Sequence, residues 1–332
     1  MSKLKLANYW SASCGGCDVA LADLDERILD VTALVDIVLW PVATDFKYSD
    51  VEAMADGEID ITLWNGGVRN SEAAHLANLL RTKSKLLVSY GSCASFGGIP
   101  GLANVSNREE IFSVVYDQMP STVNPDGVHP QTVTTVNGHT LEIPAFYNQV
   151  MPLDQVVDVD YYLPGCPPST DRIWDLVLVA KNFAETGDLP PKGTVVAGQL
   201  ALCEDCHRER QDKKVDQIVR VHQMDDDGKT CFLEQGVVCM GPATRTGCGH
   251  RCINANMPCR GCLGPLPGVK DQGAKMLSAL ASVMGLDDEI EMDEAMVTSL
   301  MDQVVDPLGT FYRFSLGSSI IGGRLKSEEG GL

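Results

Sequence analysis

The chain has 332 residues, 44% of them hydrophobic and 21% charged, with 45 acidic against 26 basic side chains and a formal net charge of −19. That length suffices for two cored domains, and the composition is that of an ordinary globular protein rather than a disordered one. The acidic balance argues against nucleic-acid or anionic-membrane binding, both of which draw on basic surface, and the longest apolar run, IWDLVLVA at 173–180, is too short to cross a bilayer.

The first residues carry Lys3 and Lys5 but no apolar signal core, twin arginine or small-residue cleavage pattern, so a cytoplasmic chain is expected. Residues 4–9 read as a buried strand that runs into CGGC, with Cys14 and Cys17. Four chemistries compete for that pair: a disulfide, a redox dithiol, half a zinc site or half an iron–sulfur site. Further short strands are expected at 36–40, 59–64, 85–90 and 157–163, apolar and rich in β-branched or aromatic residues, as buried parallel strands are. Helices separate them. NSEAAHLANLL has a cap at Asn70 or Ser71, and STDRIWDLVLVAKNFAETG starts at Ser169 or Thr170 and stops at Gly187. Such a β–α–β series implies an α/β fold with a doubly wound parallel sheet. TVTTVNGHTLEI interrupts it as a hairpin turning at Asn137–Gly138.

GDLPPKG at 187–193 reads as a linker, which divides the chain into domains 1–190 and 191–332. Residues 203–262 hold eight of the twelve cysteines with weak periodicity and frequent Gly and Pro, so little apolar burial is expected there and metal ligation would have to hold the segment. DDDG at 225–228 lacks the Ca²⁺-loop spacing and reads as a solvated turn. Helices at 272–284 and 293–305 close the chain. Met276, Met284, Met292, Met296 and Met301 on them read as packing residues.

Placing the cysteines on this sheet gives a pattern. Cys14 and Cys17, Cys93 in GSCASFGG, and Cys166 in LPGCPPST all follow the carboxyl ends of expected strands. Ligands of open α/β sheets bind in the crevice outside those ends. A dithiol leaves Cys93 and Cys166 unexplained. Structural zinc clips local segments, whereas a [4Fe–4S] cube suits four thiolates converging across a wide crevice; the arrangement favours the cube, with zinc as the alternative. The other eight divide most economically in chain order into Cys203, Cys206, Cys231, Cys239 and Cys248, Cys252, Cys259, Cys262, again metal sites, with two zinc ribbons as the competing account. The count closes without His207 and His250, which read as surface residues or supports for ligands, the alternative being that one of them replaces a cysteine as ligand; His75, His129, His139 and His222 read as ordinary core or surface residues.

Over nearly its whole length the sequence resembles the small, electron-transferring subunit of [NiFe] hydrogenases. The motifs are CGGCDVAL, GGVRNSEAAHLANLLR, LVSYGSCASFGGIPGLAN, LPGCPPS and GPATRTGCGHRC. The resemblance implies a flavodoxin-like domain binding a proximal [4Fe–4S] cluster through Cys14, Cys17, Cys93 and Cys166. A smaller, irregular domain with a helical tail would hold a medial cluster on Cys248, Cys252, Cys259 and Cys262 and a distal one on Cys203, Cys206, Cys231 and Cys239. Exported members carry a twin-arginine leader, a histidine where Cys203 stands and one medial cysteine fewer, so this chain looks like the cytoplasmic branch with three [4Fe–4S] clusters. Within that branch it is most similar to the viologen-reducing, F-420-non-reducing hydrogenases of methanogenic archaea, with the deazaflavin-reducing relative and a free ferredoxin-like carrier as alternatives. The implied partners are a NiFe large subunit, where H₂ would be cleaved, a [2Fe–2S] subunit and a flavin-bearing heterodisulfide reductase. No catalytic residue is expected on this chain. Asp18 and Arg69 lie in the matching motifs, Arg69 as an interface or structural ion-pair residue.

Overall fold

The main sheet uses strands from almost two hundred residues of sequence. In the computed structural model, which describes residues 3–211, 214–215, 217–284 and 294–322 (the backbone alone for 294, 296, 297 and 300), β1 is Leu4–Trp10, β2 Val35–Leu39 and β3 Ile59–Asn65. They are followed by β4 (Val68–Asn70), β5 (Ser84–Tyr90), β6 (Val133–Val136), β7 (His139–Glu142), β8 (Phe146–Met151), β9 (Tyr161–Leu163) and β10 (Thr194–Val195). Six of these form one parallel sheet in the order β10-β9-β5-β3-β1-β2. The five strands other than β10 have the flavodoxin-like order, which reverses direction between β1 and β3.

The strands read as continuous apolar runs because helices cover both sheet faces. On one face Ala7, Trp64 and Leu87 pack against Leu76, Ala77 and Leu80 of the helix Ser71–Lys83. On the other, Leu63, Val88 and Leu163 pack against Ala20 and Leu21 of Gly16–Ala22 and Ile173, Leu176 and Ala180 of Thr170–Thr186. Asn70 caps the first of these helices, its side chain accepting from Ala73 N at 2.8 Å. Ser169 stands at the cap position of Thr170–Thr186, but its hydroxyl makes no cap hydrogen bond.

The expected strand at 157–163 shortens to β9. Asp160 N still donates to the Leu87 carbonyl at 2.9 Å, but the Asp160 carboxylate takes the Leu87 N–H at 2.8 Å and pairs with Arg81, so a side chain replaces the backbone acceptor there. The stretch after the linker contributes β10 to the sheet edge, a strand too short for periodicity to reveal. The hairpin β6–β7 turns on Asn137 and Gly138 with φ of 51° and 79°, as the type I′ turn requires.

The second half departs more from expectation. Residues 203–262 do bury apolar surface: Phe232, Leu233, Val237, Met240 and Ile253 form a core with Met276 and Leu280 of the helix Gln272–Val283. Weak periodicity hid this core because short 3-10 turns, the loops beside them and the one-turn helix Arg251–Asn254, not long helices, present those residues. Asp271 caps the tail helix, accepting from Ala274 N at 2.8 Å. A second tail helix spans Glu294–Asp302; its expected start at Asp293 lies outside the described residues, as do Met292 and the side chain of Met296. Met276 and Met284 are buried, as packing residues are.

Candidate functional site

The register of the sheet puts four strand ends in one row. Trp10 pairs with Asn65, Asn65 with Tyr90, and Tyr90 with Leu163. The loops that follow β1, β5 and β9 therefore leave the sheet at the same end, with β3 between β1 and β5, and they carry Cys14 and Cys17, Cys93, and Cys166. All four thiols are free and close enough to act on one another. Burial pushes the Cys17 thiol far up, and Cys93, Cys166 and Cys14 push it further; Cys93 is pushed up to about 12 by burial and then by Cys166 and Cys14.

Backbone shape makes room for these sulfurs. Gly91 has φ of 86°, and a Cβ there would overlap Cys17 Sγ; at Gly98 (φ 57°) a Cβ would lie 2.5 Å from Cys93 Sγ. Both positions need glycine for conformation and for space. Cys14 Sγ accepts from Gly16 N at 3.4 Å, and the Tyr90 hydroxyl donates to the Cys17 carbonyl at 2.9 Å.

Asp18, next to Cys17, fixes the same loop. Its carboxylate accepts from Asn8 Nδ2 at 2.7 Å, Trp40 Nε1 at 2.8 Å and Asn65 Nδ2 at 2.9 Å, and Asn65 Oδ1 accepts from the Ser13 hydroxyl at 2.8 Å. One buried carboxylate thus ties the ends of β1, β2 and β3 to the segment that bears Cys14 and Cys17. Arg69 makes no ion pair among the described residues, contrary to one expected role. It is buried, its guanidinium lies 4.4 Å from the Phe146 ring centroid, and desolvation lowers it to about 10.

The other eight cysteines form two further groups. Cys203, Cys206, Cys231 and Cys239 line one cavity with Leu202, Phe232 and Gly241; burial, then Cys239, Cys231 and Cys206, push Cys203 up to about 12. Burial with Cys248 and Cys252 pushes Cys262 up to about 12, and Cys259 is raised by burial and by Cys239 and Cys262. The groups meet in series. Cys166 and Cys262 are close enough to act on each other, and Cys259 N donates to Cys239 Sγ at 3.3 Å. His207 and His250 stand edge to face with centroids 6.5 Å apart, and His250 Nε2 lies 3.4 Å from the Leu202 carbonyl oxygen. Among the described residues no three Cys, His, Asp or Glu side chains close on a point that one metal ion would occupy.

Three supports escaped sequence reasoning: the triple-acceptor role of Asp18, the Ser92 hydroxyl that bonds the Cys262 carbonyl at 2.6 Å, and the Arg208–Asp226 pair. Asp226 belongs to the DDDG expected to be a solvated turn. Its carboxylate instead meets Arg208 at 2.7 and 2.8 Å, with Arg208 almost fully buried. Acidic residues in a turn carry no sign of a distant partner, so the sequence held no signal for this pair.

Residues 14–180 match the family described as NADH ubiquinone oxidoreductase, 20 Kd subunit. The chain is 39% identical over 328 residues to the iron-sulfur subunit of the F420-non-reducing hydrogenase of Archaeoglobus profundus, covering 97% of this chain and 99% of that one. It is 37% identical over 331 residues to an F420-non-reducing hydrogenase subunit of Methanothermobacter marburgensis, covering 98% of each. Among solved structures, the oxidized recombinant [NiFeSe] hydrogenase from Desulfovibrio vulgaris Hildenborough shares the fold at a TM-score of 0.51 and 15% identity, over 81% of this chain and 96% of that one. The sheet order, the row of cysteine-bearing loops and these full-length matches agree: the chain belongs to the family of F420-non-reducing hydrogenase iron-sulfur subunits, electron-transfer components of [NiFe] hydrogenase complexes.

Proposed function

We propose that the chain holds three [4Fe–4S] clusters: proximal on Cys14, Cys17, Cys93 and Cys166, medial on Cys248, Cys252, Cys259 and Cys262, distal on Cys203, Cys206, Cys231 and Cys239. The observation that carries this reading is the grouping of twelve free cysteines into three mutually interacting fours joined end to end at Cys166–Cys262 and Cys239–Cys259. The donor sets fit such groups. Each offers four thiols, and glycines at 91, 98 and 241 leave room beside the sulfurs. When bound, such clusters supply one-electron transfer.

The polypeptide does the rest. In the proposed division into 1–190 and 191–332, the parallel sheet places the first group at its crevice, and the core around Phe232, Ile253 and Met276 holds the other two, with β10 crossing back to the sheet edge. The apolar shell of Phe232, Leu233 and Ile253 keeps water from the Cys203 group. Backbone N–H groups aimed at sulfur, from Gly16 to Cys14 and from Cys259 to Cys239, stabilise thiolate charge and so raise the potential at those two groups. The partners proposed are a NiFe large subunit at the proximal end and, beyond the distal end, a [2Fe–2S] subunit and a flavin-based heterodisulfide reductase, in the cytoplasm. The names of the relatives favour this branch over the deazaflavin-reducing one.

Metal and sulfide assays on the purified complex test the reading. About twelve irons and as many acid-labile sulfides per chain are expected, with nickel in the partner. Cys166→Ala should remove about four irons and stop H₂-driven viologen reduction. Three zincs per chain, or full electron flow through Cys166→Ala, would overturn it.

A further inference from the structure

A cavity of about 270 Å³ opens beside the second and third cysteine groups, and it is cationic in a chain whose net charge is −19. Arg220, Arg260, Arg313 and His222 line it, with a floor that includes Val219, Val237 and Val304. Asp306 is the carboxylate among its described lining residues, and it is engaged: Oδ1 accepts from Gly309 N at 2.9 Å. Arg313 donates through Nε to the Gly309 carbonyl at 2.9 Å, which leaves its terminal nitrogens for another acceptor. None of the three arginines makes an ion pair among the described residues. Arg260 and Arg313 are close enough to repel each other, a repulsion that an anion between them would relieve. Arg260 also interacts with three thiols, Cys239 of the second group and Cys252 and Cys259 of the third, so its charge is within reach of both groups.

We propose that this cavity binds a small molecule with a carboxylate or phosphate head, held by Arg260 and Arg313 over the valine floor, and that its binding lowers the reduction potential of the two neighbouring cysteine-bound centres. Guanidinium forks match both oxyanions in two-point geometry. The volume admits a small molecule of roughly a dozen non-hydrogen atoms, and a lining that combines apolar side chains with three arginines suits an organic anion better than chloride. The potential follows from charge. A cation near a cluster favours its more negative, reduced state, and a bound anion cancels that cation at short range. The site would let a metabolite anion set how readily electrons leave the relay. The coupling rests on the cluster reading above; the binding does not.

The test uses the purified complex at constant ionic strength. Inorganic phosphate and, separately, succinate are titrated by calorimetry, with chloride as the matched control. EPR-monitored redox titrations are run with and without the binding anion. Saturable binding of one or both oxyanions, weakened about tenfold or more in Arg313→Gln and in Arg260→Gln, is expected, since each variant removes a charge-assisted pair. The midpoint potentials should fall on anion addition in the wild type and stay put in Arg313→Gln. The relative strength of the two probes identifies the head group. No saturable binding of either anion, or equal binding by both variants, would overturn the site; binding that leaves the potentials unmoved would overturn the coupling. Should Arg260→Gln misfold, Arg313→Gln, farther from the cysteines in sequence, carries the test. Iron counted on the same samples separates failure of the cluster reading, where iron is absent, from failure of the anion site.

Discussion

The Ser92 hydroxyl donates to the Cys262 carbonyl oxygen at 2.6 Å and accepts from the backbone N–H of Gly165 at 3.2 Å. Ser92 precedes Cys93 and Gly165 precedes Cys166, so one side chain joins two loops of the first cysteine group to the third group. Ser92 is almost fully buried, and Ser92→Ala strands both partners away from water. Losing that bond costs about 1–3 kcal/mol. Denaturant unfolding of the variant should show a loss of that size; an unchanged midpoint would mean that the two domains are held elsewhere.

Gly91→Ala separates crowding from backbone strain. The new methyl would overlap Cys17 Sγ, and the sulfur can retreat only by leaving its group. Gly138→Ala, in the hairpin turn, carries a similar positive φ of 79° but meets nothing within 4 Å. Both variants bear the left-handed backbone penalty of about 1 kcal/mol. Only Gly91→Ala should lose iron, about four atoms per chain if the first group holds a [4Fe–4S] cluster. Equal iron in the two variants would show that the Gly91 methyl is accommodated.

The sequence made the sheet legible because its strands are buried on both faces and read as apolar blocks, and helix caps such as Asn70 are local signals. The convergence of Cys14, Cys17, Cys93 and Cys166 followed from topology alone, since parallel strands send their following loops to one end. What stayed hidden was what depends on distant pairing. Asp160 trims β9 through a bond to Leu87, Phe232 and Ile253 build a core out of short turns, and Asp226 finds Arg208. None of these leaves a period or a motif. Chain order by itself divides the cysteines into fours without saying which four lies in the middle; the resemblance implies the Cys248 set, and the contacts of Cys262 with Cys166 and of Cys259 with Cys239 agree with that order.

Asp18 offers a test of how the first loop is held. Its carboxylate receives three side-chain donors, from Asn8, Trp40 and Asn65, at 2.7 to 2.9 Å. Asp18→Ala leaves all three without an acceptor in a buried site, and hydrogen bonds to a charged group are worth about 1.5–3 kcal/mol each. A loss of about 3 kcal/mol or more is expected, since water can reach Trp40 in part. Asp18→Asn keeps acceptor oxygen for some of the donors and should retain more stability than Ala, with the same shape. Comparable losses in the two variants, read by thermal unfolding, would assign the effect to the lost charge rather than to the lost hydrogen bonds.

The Arg208–Asp226 pair carries a pH signature. The hydrogen bonds from Arg208 hold the Asp226 carboxyl well below the usual carboxylate range, against a smaller opposing effect of burial. A carboxyl depressed in the folded chain adds stability that is complete above its unfolded value, about 4, and that drains away as the pH falls below it. The pair lies under the Phe232 ring, 3.7 Å from the guanidinium carbon to the centroid, so Asp226→Asn leaves a buried cation short of its counter-charge. The variant should be less stable than the wild type by about 2 kcal/mol at pH 7. Because the wild type alone loses the carboxylate's contribution in acid, the gap should narrow on going from pH 5 to pH 3. Melting temperatures of both proteins across that range decide the matter: a gap that stays constant would show that proton binding to Asp226 is the same folded and unfolded, and the pair would then hold the loop by shape rather than by charge.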